Sequence, residues 1–304
     1  LRAIGCHPPR MPPRELGKDS TVAELTSYAI AGSLLRLLEH LPLLRTTEEP
    51  EAVHQARVAA RRLRSDLSTL EEALKRKPQK RLRSGLRDLG GRLGSLRDAD
   101  VMAEQLRRSV SKLSEEEQRE ADVYLERIDR EREVQRARVL EYIHSSSSAA
   151  EIDRLAAAVD KPPVVKVHAS ARTVLPPLIA RRWKRLKGRV DRLGPQPSDR
   201  KLHRVRIEAK RCRYAAELAA PVLGKNASRL ANALADVQTA LGDLQDTVVL
   251  ENWLRGAQRG LPARPAGVAT ALIEQERRMA ATARLEWKGV WQVINDRGLA
   301  DWIR

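Results

Sequence analysis

Apolar side chains recur at three- and four-residue intervals over most of the chain, the spacing of a helix that buries one face. In residues 25–44 the set Leu34, Leu35, Leu37, Leu38 and Leu41 marks a helix that breaks at Pro42 and Pro50. A second helix is predicted over about 51–77, stopped by Pro78. A third spans about 79–110, where Gly90, Gly91 and Gly94 permit close approach of a neighbour at some cost in helix propensity. Ser114 followed by Glu117 is a capping box opening a highly charged fourth helix that reaches about residue 143. A serine run at 145–148 and Lys161-Pro162-Pro163 bracket a short helical piece. The pattern resumes over about 168–193 and ends at Gly194-Pro195. Ser198 caps the next helix, which reaches the Pro221–Gly224 region, and two more cover about 226–255 and 267–295. No segment alternates with period two for long enough to form a sheet, so the expected fold is all-α.

The chain also repeats itself. His54-Gln55-Ala56-Arg57-Val58-Ala59-Ala60-Arg61-Arg62-Leu63-Arg64 returns as His203-Arg204-Val205-Arg206-Ile207-Glu208-Ala209-Lys210-Arg211-Cys212-Arg213, an offset of 149 residues from His54 to His203. Leu93-Gly94-Ser95-Leu96-Arg97-Asp98-Ala99-Asp100-Val101 returns, more loosely, as Leu241–Val249 at an offset of 148. Two matches in the same order at one spacing predict a tandem duplication of a four-helix unit. The expected organisation is a disordered lead-in over 1–16, a first four-helix bundle over 17–144, a linker over 145–167 and a second four-helix bundle over 168–304.

Charge tells what the repeat is for. The net charge is +17, and only 13 of the 57 basic residues are lysine, so arginine outnumbers it more than three to one. That excess points to an anionic partner, and guanidinium favours forked recognition of phosphate or carboxylate. On a helix advancing about 100° per residue, Arg57, Arg61 and Arg64 fall within roughly 80° of His54. Ala56, Ala60, Leu63, Leu67, Leu70 and Leu74 gather on another sector, the core stripe. The second copy sorts likewise: His203, Arg206, Lys210 and Arg213 share one stripe, Val205, Ala209, Cys212 and Ala216 the other. Like charges at these spacings repel by a few tenths of a kcal/mol per pair, and no acids occupy the stripes. In the preceding helix Arg182, Arg185 and Arg189 flank Ile179, Trp183, Leu186 and Val190, and the same offset places Ser33, Arg36 and His40 at the equivalent sites.

With these residues the sequence resembles the conserved histidine alpha-helical domain family, CHAD. The hallmark resembles His-x-x-Arg-Val/Ile-x-x-Arg/Lys-Arg-x-Arg, present at His54–Arg64 and His203–Arg213, followed by Tyr214, with Leu-Arg-Asp-x-Asp-Val at Leu96–Val101 and its looser copy at Leu244–Val249. The resemblance covers about residues 17–304. It implies two bundles related by a pseudo-twofold, enclosing a basic central pore that binds inorganic polyphosphate. The ligands it implies are His54, Arg57, Arg61, Arg64, His203, Arg206, Lys210 and Arg213, joined by Arg36, Arg182, Arg185 and Arg189. Lys210 departs from its counterpart Arg61 and supplies charge without a fork. Some members are fused to a triphosphate-processing catalytic domain, and nothing legible in these 304 residues corresponds to one.

The remaining chemistry is sparse. His54 and His203 lack His or Cys partners at ligand spacing and sit among cations, so no metal is expected. They read either as packing residues or as donors to phosphate oxygen. Asp98, Asp100 and Asp246 are expected to pair with the arginine-rich helices and orient them, with Mg²⁺ binding as the other reading. No Walker A pattern, nucleophile elbow or glycine-rich phosphate loop is present, so a binding protein rather than an enzyme is expected, without a cofactor. Nucleic acid is the alternative polyanion. Against it, aromatics are 3% of residues, and the five tryptophans (183, 253, 287, 291 and 302) fall on core positions. Cys6 and Cys212 form no disulfide framework or zinc motif. No apolar run of membrane-spanning length or signal peptide is legible, which predicts a cytoplasmic protein. The polyphosphate binding that the resemblance implies fits granule targeting, storage or scaffolding for a partner enzyme equally.

Overall fold

A computed structural model of the chain describes residues 15–46 and 49–303. The predicted lead-in lies, up to residue 14, outside the described residues. The first half contributes α1 (Val22–His40), the short α2 (Leu43–Thr46), α3 (Pro50–Thr69), α4 (Arg76–Val110) and α5 (Glu115–Ile143). The chain continues with α6 (Ser146–Asp160), α7 (Ala171–Val190), α8 (Asp199–Leu223), α9 (Lys225–Ala257) and α10 (Ala263–Asp296). No strand forms among the described residues beyond two isolated bridges.

Local chemistry explains some of the boundaries. The Ser114–Glu117 capping box opens α5 as expected, and a second box, Thr21–Glu24, opens α1. The predicted stop at Pro78 is wrong. α3 ends at Thr69, and Pro78 lies in the first turn of α4. Backbone N–H groups there have no intrahelical acceptor, so proline removes nothing. The break comes earlier, at a 3₁₀ turn over Glu71–Ala73. There Val165 N donates to Ala73 O at 2.9 Å and Lys75 N to Pro163 O at 2.6 Å. Residues 161–165 thereby satisfy backbone groups that a continuous helix would have bonded internally. Within the predicted 145–167 connection, α6 packs on α1, with Ile152, Leu155 and Val159 buried.

Packing follows the repeat. α3 lies against α4 as α8 lies against α9, with α1 and α7 on their outer sides and α5 and α10 beyond. Across the halves, α1 meets α7, α3 meets α8, α4 meets α9 and α5 meets α10, while α2 and α6 have no such counterpart. Thr21 and Ser170, 149 residues apart, form an antiparallel bridge. Its hydrogen bonds are reciprocal: Val22 N donates to Ala169 O at 2.8 Å and Ala171 N to Ser20 O at 2.9 Å. The main core draws on both halves and is almost wholly aliphatic. A second cluster around Leu106, Ile128, Leu250 and Leu272 joins α4, α5, α9 and α10.

Gly32, exposed in the interior of α1, has nothing within 4 Å of where a Cβ would stand. Gly32→Ala is expected to raise stability by about 0.5–1 kcal/mol through helix propensity alone, read as a higher denaturation midpoint. A lowered midpoint would mean that α1 is bent or contacted there.

Candidate anion-binding cavity

α3 and α8 bury their alanine-rich stripes and turn the opposite stripes toward each other. Ala56, Ala60, Leu63, Val205, Ala209 and Cys212 are fully buried. The space left between α3, α4, α8 and α9 is a cavity of about 1030 Å³. His54, Arg57, Arg61 and Arg64 line it from α3; His203, Arg206, Lys210 and Arg213 line it from α8. The two stripes therefore share one cavity. The four flanking arginines do not line it. Arg36 is exposed on α1, Arg185 and Arg189 are exposed on α7, and Arg189 lies 3.6 Å from Glu208. Arg182 is held at the cavity's edge, donating to Ser68 O at 2.9 Å and Ser68 Oγ at 3.0 Å.

The downstream repeat explains how the central arginines are held. A Cβ on Gly94 would lie 3.7 Å from Arg57 Nε, and one on Gly242 would lie 3.5 Å from an Arg206 terminal nitrogen. Each guanidinium thus packs across a glycine of the adjacent helix. One turn further along that helix stands an acid. Arg57 pairs with Asp98 at 3.0 Å, and Asp246 is the main opposing charge felt by Arg206. Burial raises Asp246 above the usual carboxylate range, against the pull of Arg206. Asp98 pairs as expected, and so does Asp100, which is buried and accepts from Arg132 Nε of the arginine-rich α5 at 2.7 Å. Asp246 makes no direct ion pair among the described residues and acts on Arg206 through its charge alone.

The cavity holds more cation than the protein neutralises. Arg213 reaches Glu217 at 3.5 Å, whereas Arg61, Arg64 and Lys210 have no carboxylate partner among the described residues. Nε of Arg57, Arg61 and Arg206, and Nδ1 of His203, are buried without a hydrogen-bond partner. Burial first, then neighbouring cations, lowers the affinity of Arg64 for its proton; the same burial dominates at Arg57 and Arg206. His54 is also pushed down, by burial and then by Arg97. Lys210 is lowered furthest, to about 6, by burial and then by Arg61, Arg206, Arg57 and Arg213. Buried donors without a protein partner and crowded cations are costly, and a bound polyanion would relieve both.

Arg83, Arg87 and Arg97 of α4 line the same cavity. A wheel drawn on α4 would have found them, since 83, 87, 90, 94, 97 and 101 recur at three- and four-residue steps. At the offset of 148, α9 has Ala231, Ala235 and Gln245, so the α4 wall is the more basic. Tyr214 is the aromatic residue of the lining; Trp183 and Trp287 are buried, and Trp183 stacks on Trp291 at 5.5 Å. Cys212 lies in the core with its thiol pushed up to about 12 by burial. Among the described residues no three His, Cys, Asp or Glu side chains converge as a metal site, and no helix is long and apolar enough to cross a membrane.

The sequence pattern of the CHAD domain matches residues 28–255. Two curated relatives of Mycobacterium tuberculosis, the "uncharacterized proteins" MT2285 (strain CDC 1551 / Oshkosh) and Rv2226 (strain ATCC 25618 / H37Rv), are each 30% identical over 248 residues. The match takes in 77% of this chain and 46% of theirs, so the chain spans about half the length of these relatives. Among solved structures, PptA from Streptomyces chartreusis superposes with a TM-score of 0.76 at 22% identity, covering 90% of this chain and 100% of that one. The crystal structure of the CHAD domain from the plant Ricinus communis gives 0.72 at 22% identity, covering 99% and 98%. At that identity the likeness concerns the fold.

Proposed function

This chain belongs to the CHAD domain family, and from that premise we propose that it is a non-catalytic module holding inorganic polyphosphate between α3, α4, α8 and α9. The observation that carries this reading is the convergence of both His-Arg stripes on one cavity, where several guanidinium nitrogens lack partners. Polyphosphate presents closely spaced anionic oxygens and no bases. It suits a lining rich in charged forks and poor in stacking surfaces. A duplication that sets one stripe opposite the other supplies donors on both sides of such a chain. Association with polyphosphate granules in the cytoplasm would follow from the same affinity.

The direct test titrates the protein with long-chain polyphosphate and competes the complex with duplex DNA at equal phosphate concentration. Polyphosphate is expected to resist displacement, and duplex DNA that displaces it at parity would transfer the assignment to nucleic acid. Incubation with labelled polyphosphate and Mg²⁺ is expected to leave chain length unchanged, and shortening would overturn the non-catalytic reading.

The α4 wall gives a second expected result. Arg83→Ala with Arg87→Ala should lower polyphosphate affinity by about 100-fold, each lost charged hydrogen bond weighing on the order of 1.5 kcal/mol near the exposed rim. Arg185→Ala, exposed on α7 and away from the cavity, should leave affinity within about two-fold. Equal losses from both would mean that the protein attracts the ligand through overall charge alone.

A further inference from the structure

Lys210 holds the position that Arg61 occupies in the first repeat, yet it faces the same cavity. It makes no hydrogen bond or ion pair among the described residues. The charges that act on it are Arg61 and Arg57 from α3 and Arg206 and Arg213 from its own helix, while Asp98 on α4 and Asp246 on α9 are the acids of a cavity lining otherwise rich in cations. Asp98 is engaged by Arg57 at 3.0 Å, and Asp246 acts chiefly on Arg206. An uncompensated primary amine therefore stands in a solvent-accessible space whose walls offer guanidinium forks to a phosphate group.

We infer that Lys210 is a site of covalent acylation by small acyl phosphates, whose phosphate group docks on the surrounding arginines while the amine attacks the carbonyl carbon. The Lys210 Nζ lone pair forms the new C–N bond. The bond between the carbonyl carbon and the bridging oxygen breaks, and inorganic phosphate departs carrying the proton released by the amine. The products are an amide at Lys210 and hydrogen phosphate, and no further reactant is consumed. Guanidinium groups assist by binding the phosphate both before reaction and as the leaving group, where its charge is highest.

The reactivity of the amine agrees with this placement. With its ammonium lowered to about 6 by burial and by the neighbouring cations, roughly nine-tenths of Lys210 is free amine at pH 7. A solvated surface lysine is free only about once in a few thousand molecules. A less basic amine is intrinsically a poorer nucleophile, by roughly 200-fold at a Brønsted slope near one half. A net advantage of about ten-fold is left to Lys210 as the free amine, and a docked acyl phosphate adds proximity while also drawing a proton toward the amine.

The test incubates the full chain at pH 7 with acetyl phosphate, and in parallel with the uncharged N-hydroxysuccinimide ester of acetic acid, and follows acetylation lysine by lysine by peptide mass spectrometry. Lys210 is expected to react about ten-fold faster than the mean of the other lysines with the uncharged ester and several-fold more selectively still with acetyl phosphate. The extra selectivity for acetyl phosphate should be lost when inorganic pyrophosphate competes. Labelling no faster than at surface lysines overturns the inference, and so does an equal preference with both reagents. Because pyrophosphate is the competitor, the outcome is independent of whether long-chain polyphosphate binds.

Discussion

Arg57→Ala combined with Arg206→Ala is expected to lower polyphosphate affinity by about 10²–10⁴-fold while the protein remains folded. These two residues are equivalent under the 149-residue offset, line the cavity from opposite helices and carry buried Nε groups without partners. Each packs over a glycine of the adjacent helix and beside an acid one turn further on. A charged hydrogen bond lost to each substitution amounts to about 1.5–3 kcal/mol, and the pair acts from two walls on one ligand. Folding should survive because both side chains leave the core stripe of Ala56, Ala60, Val205 and Ala209 untouched. Isothermal titration measures the affinity, and circular dichroism with thermal melting measures the fold. Unchanged affinity in a folded double variant would place the ligand elsewhere.

Lys210→Met is expected to act in opposite directions on stability and on binding. In the folded protein Lys210 holds its proton only below about 6, against an ordinary value of 10.5. As pH falls from 10.5, an unfolded chain gains a proton that the folded chain refuses. The cost grows by about 1.4 kcal/mol per pH unit until the folded value is reached, and is constant below it. Replacing the amine by an apolar chain of similar length removes that cost. At pH 7 the variant should be more stable by roughly 3 kcal/mol, a figure discounted for the solvent that reaches the cavity. The gain should vanish as pH approaches 10.5. Chemical denaturation at pH 7 and pH 10 reads both limits, and a variant no more stable at pH 7 would contradict the burial of this amine.

Binding should show the reverse. A polyanion favours the protonated lysine, so at pH 7 to 8 the wild-type protein is expected to take up nearly one proton per ligand bound. Its affinity should weaken about ten-fold per pH unit across that range. Titrations in two buffers of different ionisation enthalpy reveal the proton directly. In Lys210→Met the linked proton disappears and affinity at low pH falls. A proton uptake that persists in the variant would point instead to His54, which burial and Arg97 also hold neutral.

Contacts between the halves repeat at the same offset as the matched sequence segments. Val22 donates to Ala169 while Ala171 donates to Ser20, and shifting either bond by 149 residues yields the other. Arg57 over Gly94 and Arg206 over Gly242 repeat the relation at the cavity. Reciprocal contacts of this kind are what an isologous interface between two copies would show, here between segments of one chain.

Periodicity, capping chemistry and the duplicated His-Arg stripe made much of this protein legible before any coordinates. They specified an all-helical fold, the opening of α5, and two matching four-residue stripes, because side chains three and four apart on a helix must share a face. They failed where the decision was not local. Leu67, Leu70 and Leu74 kept a helical rhythm past Thr69, but hydrogen bonds from Lys75 to Pro163 and from Val165 to Ala73 stopped the helix early. Arg36, Arg185 and Arg189 satisfied the same periodic rule as the cavity residues, yet their helices face outward. Arg83, Arg87 and Arg97 entered the lining only because α4 packs across α3. A sequence fixes which side chains share a stripe; only the packing of one helix on another decides which stripe faces the cavity and how far its charges are drawn from water.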